Sequence, residues 1–196
     1  KNGYGAKLAN IFAEYMIVET VDKSRGKRFR QTFKKNMSQR EKPKITKCGA
    51  KPYTKIIWKP DLKRFGMTKL DKNHVALMKK RVYDIAACTH RTVNVFLNKT
   101  KLKYKTFEKY VDLYIGSKKD KERVYQEGNG WQVVACASAD DAFEQHSWVN
   151  GVNTTKGGKH VDYILNQIVR KMIIYIEKKK KIRVKPATIK EQIMLF

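Results

Sequence analysis

The sequence is short of acid. Eighteen Asp and Glu stand against 44 Lys and Arg in 196 residues, a formal net charge of +26. Such an excess points to a polyanionic partner, most simply nucleic acid. A Lys-rich composition spread over a solvated surface gives the same count, so charge alone leaves both readings open. Cysteine is scarce as well. Cys48, Cys88 and Cys136 lie far apart with no C-x-x-C pair, which argues against a zinc site and for a reducing compartment. No apolar run reaches the roughly 18 residues of a membrane span, so no membrane partner is expected, and no signal peptide is visible. The phosphate loop G-x-x-x-x-G-K-[ST] is missing too. What is present suffices for a packed core: 41% hydrophobic and 11% aromatic residues, in a length that suits one large or two small domains.

The chain is organised around its opening stretch, Lys1-Asn2-Gly3-Tyr4-Gly5-Ala6-Lys7, followed at once by an apolar helix-like run to Phe12. Glycines let a backbone adopt positive φ and approach a ligand closely. A helix starting directly after them aims free N–H groups and the positive end of its dipole at that ligand. Lys7, in the first turn, opposes that dipole unless an anion sits there. The stretch therefore reads as a phosphate cradle, with an ordinary glycine loop before a helix as the competing reading. Because the chain opens inside this motif, it is read as a piece of a longer protein.

Further along, a helix is predicted over 6–15. Two strands follow, 16–21 and 28–33, joined by the turn Ser24-Arg25-Gly26-Lys27. Phe29 and Phe33 fall on one side of the second, with Arg28 and Arg30 flanking. A short strand over 44–46 precedes a strand over 54–58, on which Thr54, Ile56 and Trp58 share a face. Asp61 to Phe65 reads as a short helical turn. A helix over 71–87 carries the stripe Val75, Met78, Val82 and Ile85. A strand over 93–97 and a helix over 106–114 follow, then a polar separator over 116–130. Strands are predicted over 131–137 and 146–149. Thr154-Thr155-Lys156-Gly157-Gly158-Lys159-His160 forms a second glycine loop, which is either an anion loop or a tight strand-to-helix turn, with His160 as a structural cap. The helix over 161–179 has the clearest periodicity in the chain, from Val161 through Leu165, Val169 and Ile173. Lys178 to Lys181 closes it, Pro186 stops its continuation, and another helix is predicted over 188–196. The class is α+β.

Four stretches then carry a resemblance. Asn2-Gly3-Tyr4-Gly5-Ala6-Lys7-Leu8, Lys80-Arg81-Val82-Tyr83-Asp84-Ile85-Ala86, Tyr110-Val111-Asp112-Leu113-Tyr114 and Thr155-Lys156-Gly157-Gly158-Lys159-His160-Val161-Asp162-Tyr163 occur in that order. Together they closely resemble the N-terminal ATPase region of eukaryotic-type DNA topoisomerase II, over essentially the whole chain. The resemblance implies the C-terminal part of a GHKL-type ATPase sandwich over 1–104, followed by a transducer domain with a βαβ core over 105–196, incomplete at its C-terminus.

The same resemblance implies the chemistry. Lys1, Asn2, Gly3, Tyr4, Gly5, Ala6 and Lys7 would wrap the phosphates of ATP. Lys1 stands where the family usually has arginine, which keeps the charge but loses the bidentate fork. Tyr4 would lie beside the nucleotide, and Thr54 would help hold the adenine. Lys178, Lys179, Lys180 and Lys181 resemble a lysine loop that touches duplex DNA through its phosphates. On residues alone, they equally complement the helix dipole. The glutamate that activates water and the asparagine that holds Mg²⁺ belong upstream in this family, and the lysine that reaches the γ-phosphate belongs downstream. No catalytic or metal-binding residue is therefore expected here, and this stretch alone is predicted to hydrolyse no ATP. The parent would be a nuclear, homodimeric, ATP-dependent isomerase acting on double-stranded DNA. The competing class is a non-enzymatic basic nucleic-acid-binding module whose glycine loop is only a turn. It would need the lysines but not an intact Asn2 to Lys7.

Overall fold

The structure, a computed structural model, describes residues 3–196. Chain contacts gather into two compact units, Lys1–Lys72 and Asn73–Phe196.

The first unit opens with α1 (Tyr4–Ile11). Strands β1 (Ala13–Asp22), β2 (Lys27–Lys34), β3 (Gln39–Arg40), β4 (Lys44–Lys47) and β5 (Tyr53–Pro60) follow. They form one sheet in the order β3-β2-β1-β5, with β4 also paired to β2. All of these pairings are antiparallel. The turn between β1 and β2 is built as the sequence suggests: Asp22 accepts from the Ser24 and Arg25 N–H groups, and Gly26 takes φ 58°. The helix predicted to run to Tyr15 instead ends at Ile11, and Ala13 already belongs to β1. The β-branched and aromatic run beyond it draws the chain into the sheet, where tertiary pairing outweighs local helix propensity. A 3₁₀ turn over Leu62–Phe65 closes the unit.

The second unit contains α2 (Lys72–Cys88), β6 (Phe96–Leu97), β7 (Thr100–Lys101) and α3 (Phe107–Ile115). It continues with β8 (Val124–Gly128), β9 (Trp131–Ala137), β10 (Glu144–Gln145), β11 (Trp148–Val149) and β12 (Val152–Asn153). The last elements are α4 (Lys159–Lys180), α5 (Pro186–Glu191) and β13 (Ile193–Leu195). The main sheet runs β10-β13-β9-β8. Because β10 and β13 are parallel and α4 lies between them in the chain, they form the expected βαβ core. Side-chain alternation sorts the two faces of this sheet. Val134, Cys136, Met194 and Phe196 pack with Phe107, Tyr110 and Val111 of α3 and Ala87 of α2. Val133, Ala135, Ile193 and Leu195 pack with Val161, Leu165 and Val169 of α4 and Ile189 of α5.

The structure departs from the sequence pattern at several elements. The end of the chain is not one helix: Pro186 begins α5 at a first-turn position, where its missing N–H costs nothing, and 193–195 form a strand buried along its whole length. The separator over 116–130 contains β8, an edge strand whose Val124 is exposed. The strand expected over 93–97 shortens to Phe96–Leu97, and that over 146–149 to Trp148–Val149. In α2 the buried residues are Asp84, Ala86 and Ala87, while Met78 of the apolar stripe is exposed.

Candidate functional site

The opening turn of α1 is shaped by Gly3. It is the N-cap, with φ 68° and ψ 8°, a left-handed conformation that costs an L side chain and suits glycine. It offers no capping side chain, and the first turn holds no acid. The opening N–H groups of a helix have no partner within it, so this end presents donors and positive potential. Lys7 adds a full charge in the same turn and is exposed. Gly5 has a different reason to be glycine. Its φ is not positive, and a Cβ there would meet nothing within 4 Å. Among the described residues neither packing nor backbone conformation requires glycine here, so the space beside Gly5 is open to a closely approaching ligand. Tyr4 is 61% exposed, so it is no core residue. Lys1 and Asn2 lie outside the described residues.

Thr54 lies on β5, directly opposite Thr20 on β1. The Thr20 hydroxyl donates to the Tyr53 carbonyl at 3.1 Å. Its single proton is then spent, so the 3.2 Å contact between the two threonine hydroxyls has Thr54 donating and Thr20 accepting. The Thr54 oxygen keeps lone pairs for an incoming donor. Four residues along β5, on the same face, the Trp58 indole N–H donates to the Ala9 carbonyl of α1 at 2.7 Å. That bond fixes α1 to the face that carries Thr54. Nothing in the local sequence marks Thr20 or Trp58 as a site residue. Their roles depend on strand register, which only the pairing reveals.

The second unit carries the other candidates. His160 Nε2 lies 3.1 Å from Thr154 Oγ1 and 3.3 Å from Ser147 Oγ, while the Gln145 side chain donates to the Thr155 carbonyl at 3.0 Å. Gly157 and Gly158 take φ 70° and 147°. The loop over 154–160 is therefore a braced strand-to-helix turn. Lys178, Lys179 and Lys180 form the last turn of α4, and Lys181 is its left-handed C-cap. All four are exposed. Glu177, just before them, accepts from Arg183 at 3.3 Å. Among the described residues no three His, Cys, Asp or Glu side chains gather into a metal site, and no helix is long and apolar enough to cross a membrane.

A family model for DNA gyrase B matches residues 92–196, more than half of the chain. The chain belongs to the DNA gyrase B family. It is also 44% identical to DNA topoisomerase 2 of Pisum sativum over 204 aligned positions, covering all of this chain and 14% of that protein. Against DNA topoisomerase 2 of Saccharomyces cerevisiae it is 42% identical, again over the whole chain and 15% of the relative. The chain thus spans about a seventh of these relatives. The solved ATPase region of Saccharomyces cerevisiae topoisomerase II superposes with a TM-score of 0.89 at 42% identity, covering all of this chain and 50% of that structure. The ATP-binding domain of Francisella tularensis topoisomerase IV shares the fold, with a TM-score of 0.67 at 19% identity. The chain is therefore homologous to the ATPase and transducer region of type II topoisomerases, with the mixed α/β architecture of that GHKL fold.

Proposed function

We propose that this chain is the phosphate-gripping and relaying part of an ATP-dependent type II DNA topoisomerase. Residues 1–104 would belong to its ATPase domain and 105–196 to its transducer. Asn2 to Lys7, with Lys1, surround the ATP phosphates: the N–H groups at the start of α1 donate to phosphate oxygens, and Lys7 neutralises charge. Tyr4 lies beside the nucleotide. Thr54 accepts from an adenine N–H donor through the lone pairs that Thr20 leaves free. Bound ATP supplies the phosphoryl group and closes the N-terminal gate of a homodimer. Lys178 to Lys181 contact the phosphates of captured double-stranded DNA. The Mg²⁺ ligands and the water-activating glutamate come from outside this stretch, so it hydrolyses no ATP alone. The parent works in the nucleus.

The observation that supports this most directly is Gly5, a glycine in the first turn of a helix that nothing among the described residues demands. The competing binding module has no use for such a gap. The test is Gly5→Val and Lys7→Ala in the full-length protein, read by nucleotide affinity and by ATP-driven strand passage. Loss of both activities with duplex DNA affinity retained is the expected result. Unchanged nucleotide affinity in both variants would leave the loop as a mere turn.

A further inference from the structure

The sheet of the first unit has a second face, turned away from α1. Trp58, which holds α1, and Lys55 are three residues apart on β5 and so point to opposite sides. On the Lys55 side the register aligns one residue from each of four strands: Lys44 of β4 opposite Arg30 of β2, Arg30 opposite Glu19 of β1, and Glu19 opposite Lys55 of β5. Arg28 and its cross-strand partner Thr46 lie one pleat further along the same face. Arg28, Arg30, Lys44 and Lys55 are all exposed.

The one acid in this row does not balance them. Glu19 is 7% exposed. Its carboxylate already accepts from the Tyr53 hydroxyl at 2.6 Å and from Arg30 at 3.3 Å. The Tyr53 bond holds its pKa below the usual carboxylate value, and the charges of Arg28, Arg30 and Lys55 act in the same direction, as cations grouped around it must. Among the described residues, Arg28, Lys44 and Lys55 make no ion pair. Lower on the same face the pattern reverses. Lys34 and Lys59, both paired in register with Tyr15, are matched by Glu41 and Glu14 at 2.5 Å. Among the strand residues of this face, the unspent charge is thus confined to one strip.

We propose that Arg28, Arg30, Lys44 and Lys55 form a second contact surface for duplex DNA, far in sequence from Lys178 to Lys181. The choice of DNA among polyanions rests on the function proposed above. Four strands about 4.8 Å apart make the strip about 14 Å wide, and a duplex carries a charge per about 1.7 Å of axis, so the strip faces several phosphates at once. Thr46 adds a hydroxyl donor of the kind that positions phosphate without reading bases.

The test compares two variants of the full-length protein for binding of a short mixed-sequence duplex over a salt series. One is Arg28→Gln/Lys44→Gln/Lys55→Gln, which leaves the Arg30–Glu19 contact in place. The other is the fourfold Gln replacement of Lys178 to Lys181. The sheet variant is expected to keep its melting temperature, to bind at least tenfold more weakly at low salt, and to lower the slope of log affinity on log salt by about 3, near 0.9 per lost phosphate contact. An unchanged slope in the sheet variant with a lowered slope in the lysine variant overturns the strip and leaves the proposed function standing. Unchanged slopes in both overturn both. If the sheet variant instead loses affinity only for polyglutamate, the partner is an acidic peptide and the proposal fails.

Discussion

The hydroxyl of Tyr110 on α3 donates to the carboxylate of Asp84 on α2, and both residues are buried. Lys80, one helical turn before Asp84, reaches both of its oxygens at 2.9 Å, and Tyr114 lies 2.9 Å from the Tyr110 hydroxyl. Burial first, then the hydrogen bond to Asp84, push the Tyr110 pKa far above its ordinary value, so it stays a donor. Two of the stretches that carried the family resemblance, 80–86 and 110–114, are thereby the two halves of one buried polar network.

Tyr110→Phe removes the donor and leaves a buried carboxylate with Lys80 alone. A hydrogen bond to a charged group is worth about 1.5–3 kcal/mol, so urea unfolding of the second unit should show a loss of that size. Asp84→Asn should cost less than Asp84→Ala, because the amide still accepts from Tyr110. Equal losses for the two Asp84 variants would mean that the charge facing Lys80, which both remove, and not the acceptor for Tyr110, sets the cost.

What could be read from the sequence follows the physics of each element. The helix of α4 was legible because its apolar residues repeat at helical spacing against one sheet face, and the hairpin of β1 and β2 because Ser24 to Lys27 has no alternative to a turn. The strand Ile193-Met194-Leu195 was not. It lies between β10 and β9 with both faces covered, so it lacks the alternation that marks a half-exposed strand. Beside Pro186 it reads as more helix. The exposed edge strand β8 erred the other way, since Gln126 and Glu127 look like loop. At the site, the glycines and Lys7 were visible as local sequence, whereas Thr20 and Trp58 matter only through register. The buried acid Asp84 sat inside a recognised motif with no sequence sign of why it was there.

Gly3 and Gly5 should respond in opposite directions to alanine. At Gly3 a left-handed φ must be held by an L side chain, at about 1–2 kcal/mol. At Gly5 the helical backbone has room for a methyl group, and Gly→Ala within a helix gains about 0.5–1 kcal/mol. Gly5→Ala is therefore expected to raise thermal stability slightly while weakening ATP binding, since the methyl group occupies the ligand's space. Calorimetry with and without nucleotide measures both. A Gly5→Ala variant with full nucleotide affinity contradicts the cradle.

Trp58→Phe tests whether α1 must be anchored to position its first turn. Phenylalanine keeps much of the ring area but loses the donor to the Ala9 carbonyl. Ala9 lies in the last turn of α1, where carbonyls have no partner within the helix, so the oxygen is left to solvent and the stability cost should be about 1–2 kcal/mol. The effect on nucleotide affinity should be larger in proportion, several-fold, because Thr54 and the α1 terminus then lose their common reference. Trp58→His, which restores a ring N–H, should recover part of the affinity. No recovery, with no loss in Trp58→Phe, would show that the bond is incidental.

His146 gives the second unit a defined acid sensitivity. Its ring lies 4.5 Å from that of Tyr114 and is stacked on Phe196 at 5.2 Å. Burial lowers its pKa below the ordinary 6.5, Lys80 adds to the lowering, and Glu144 opposes it. The folded state thus prefers the neutral ring. Stability from this preference is fully present above about 6.5 and is lost as pH falls from there through the lowered folded value. Glu19, whose carboxyl is held below 4.5, is still ionised over most of that window and belongs to the other unit. Thermal unfolding followed by tryptophan fluorescence should therefore show a falling midpoint from pH 7 to pH 5. His146→Phe keeps a stacking ring without a titrating group, and it should flatten that dependence while leaving the midpoint at pH 7.5 within a few degrees. A dependence as steep in His146→Phe as in the parent would assign the acid sensitivity to another group.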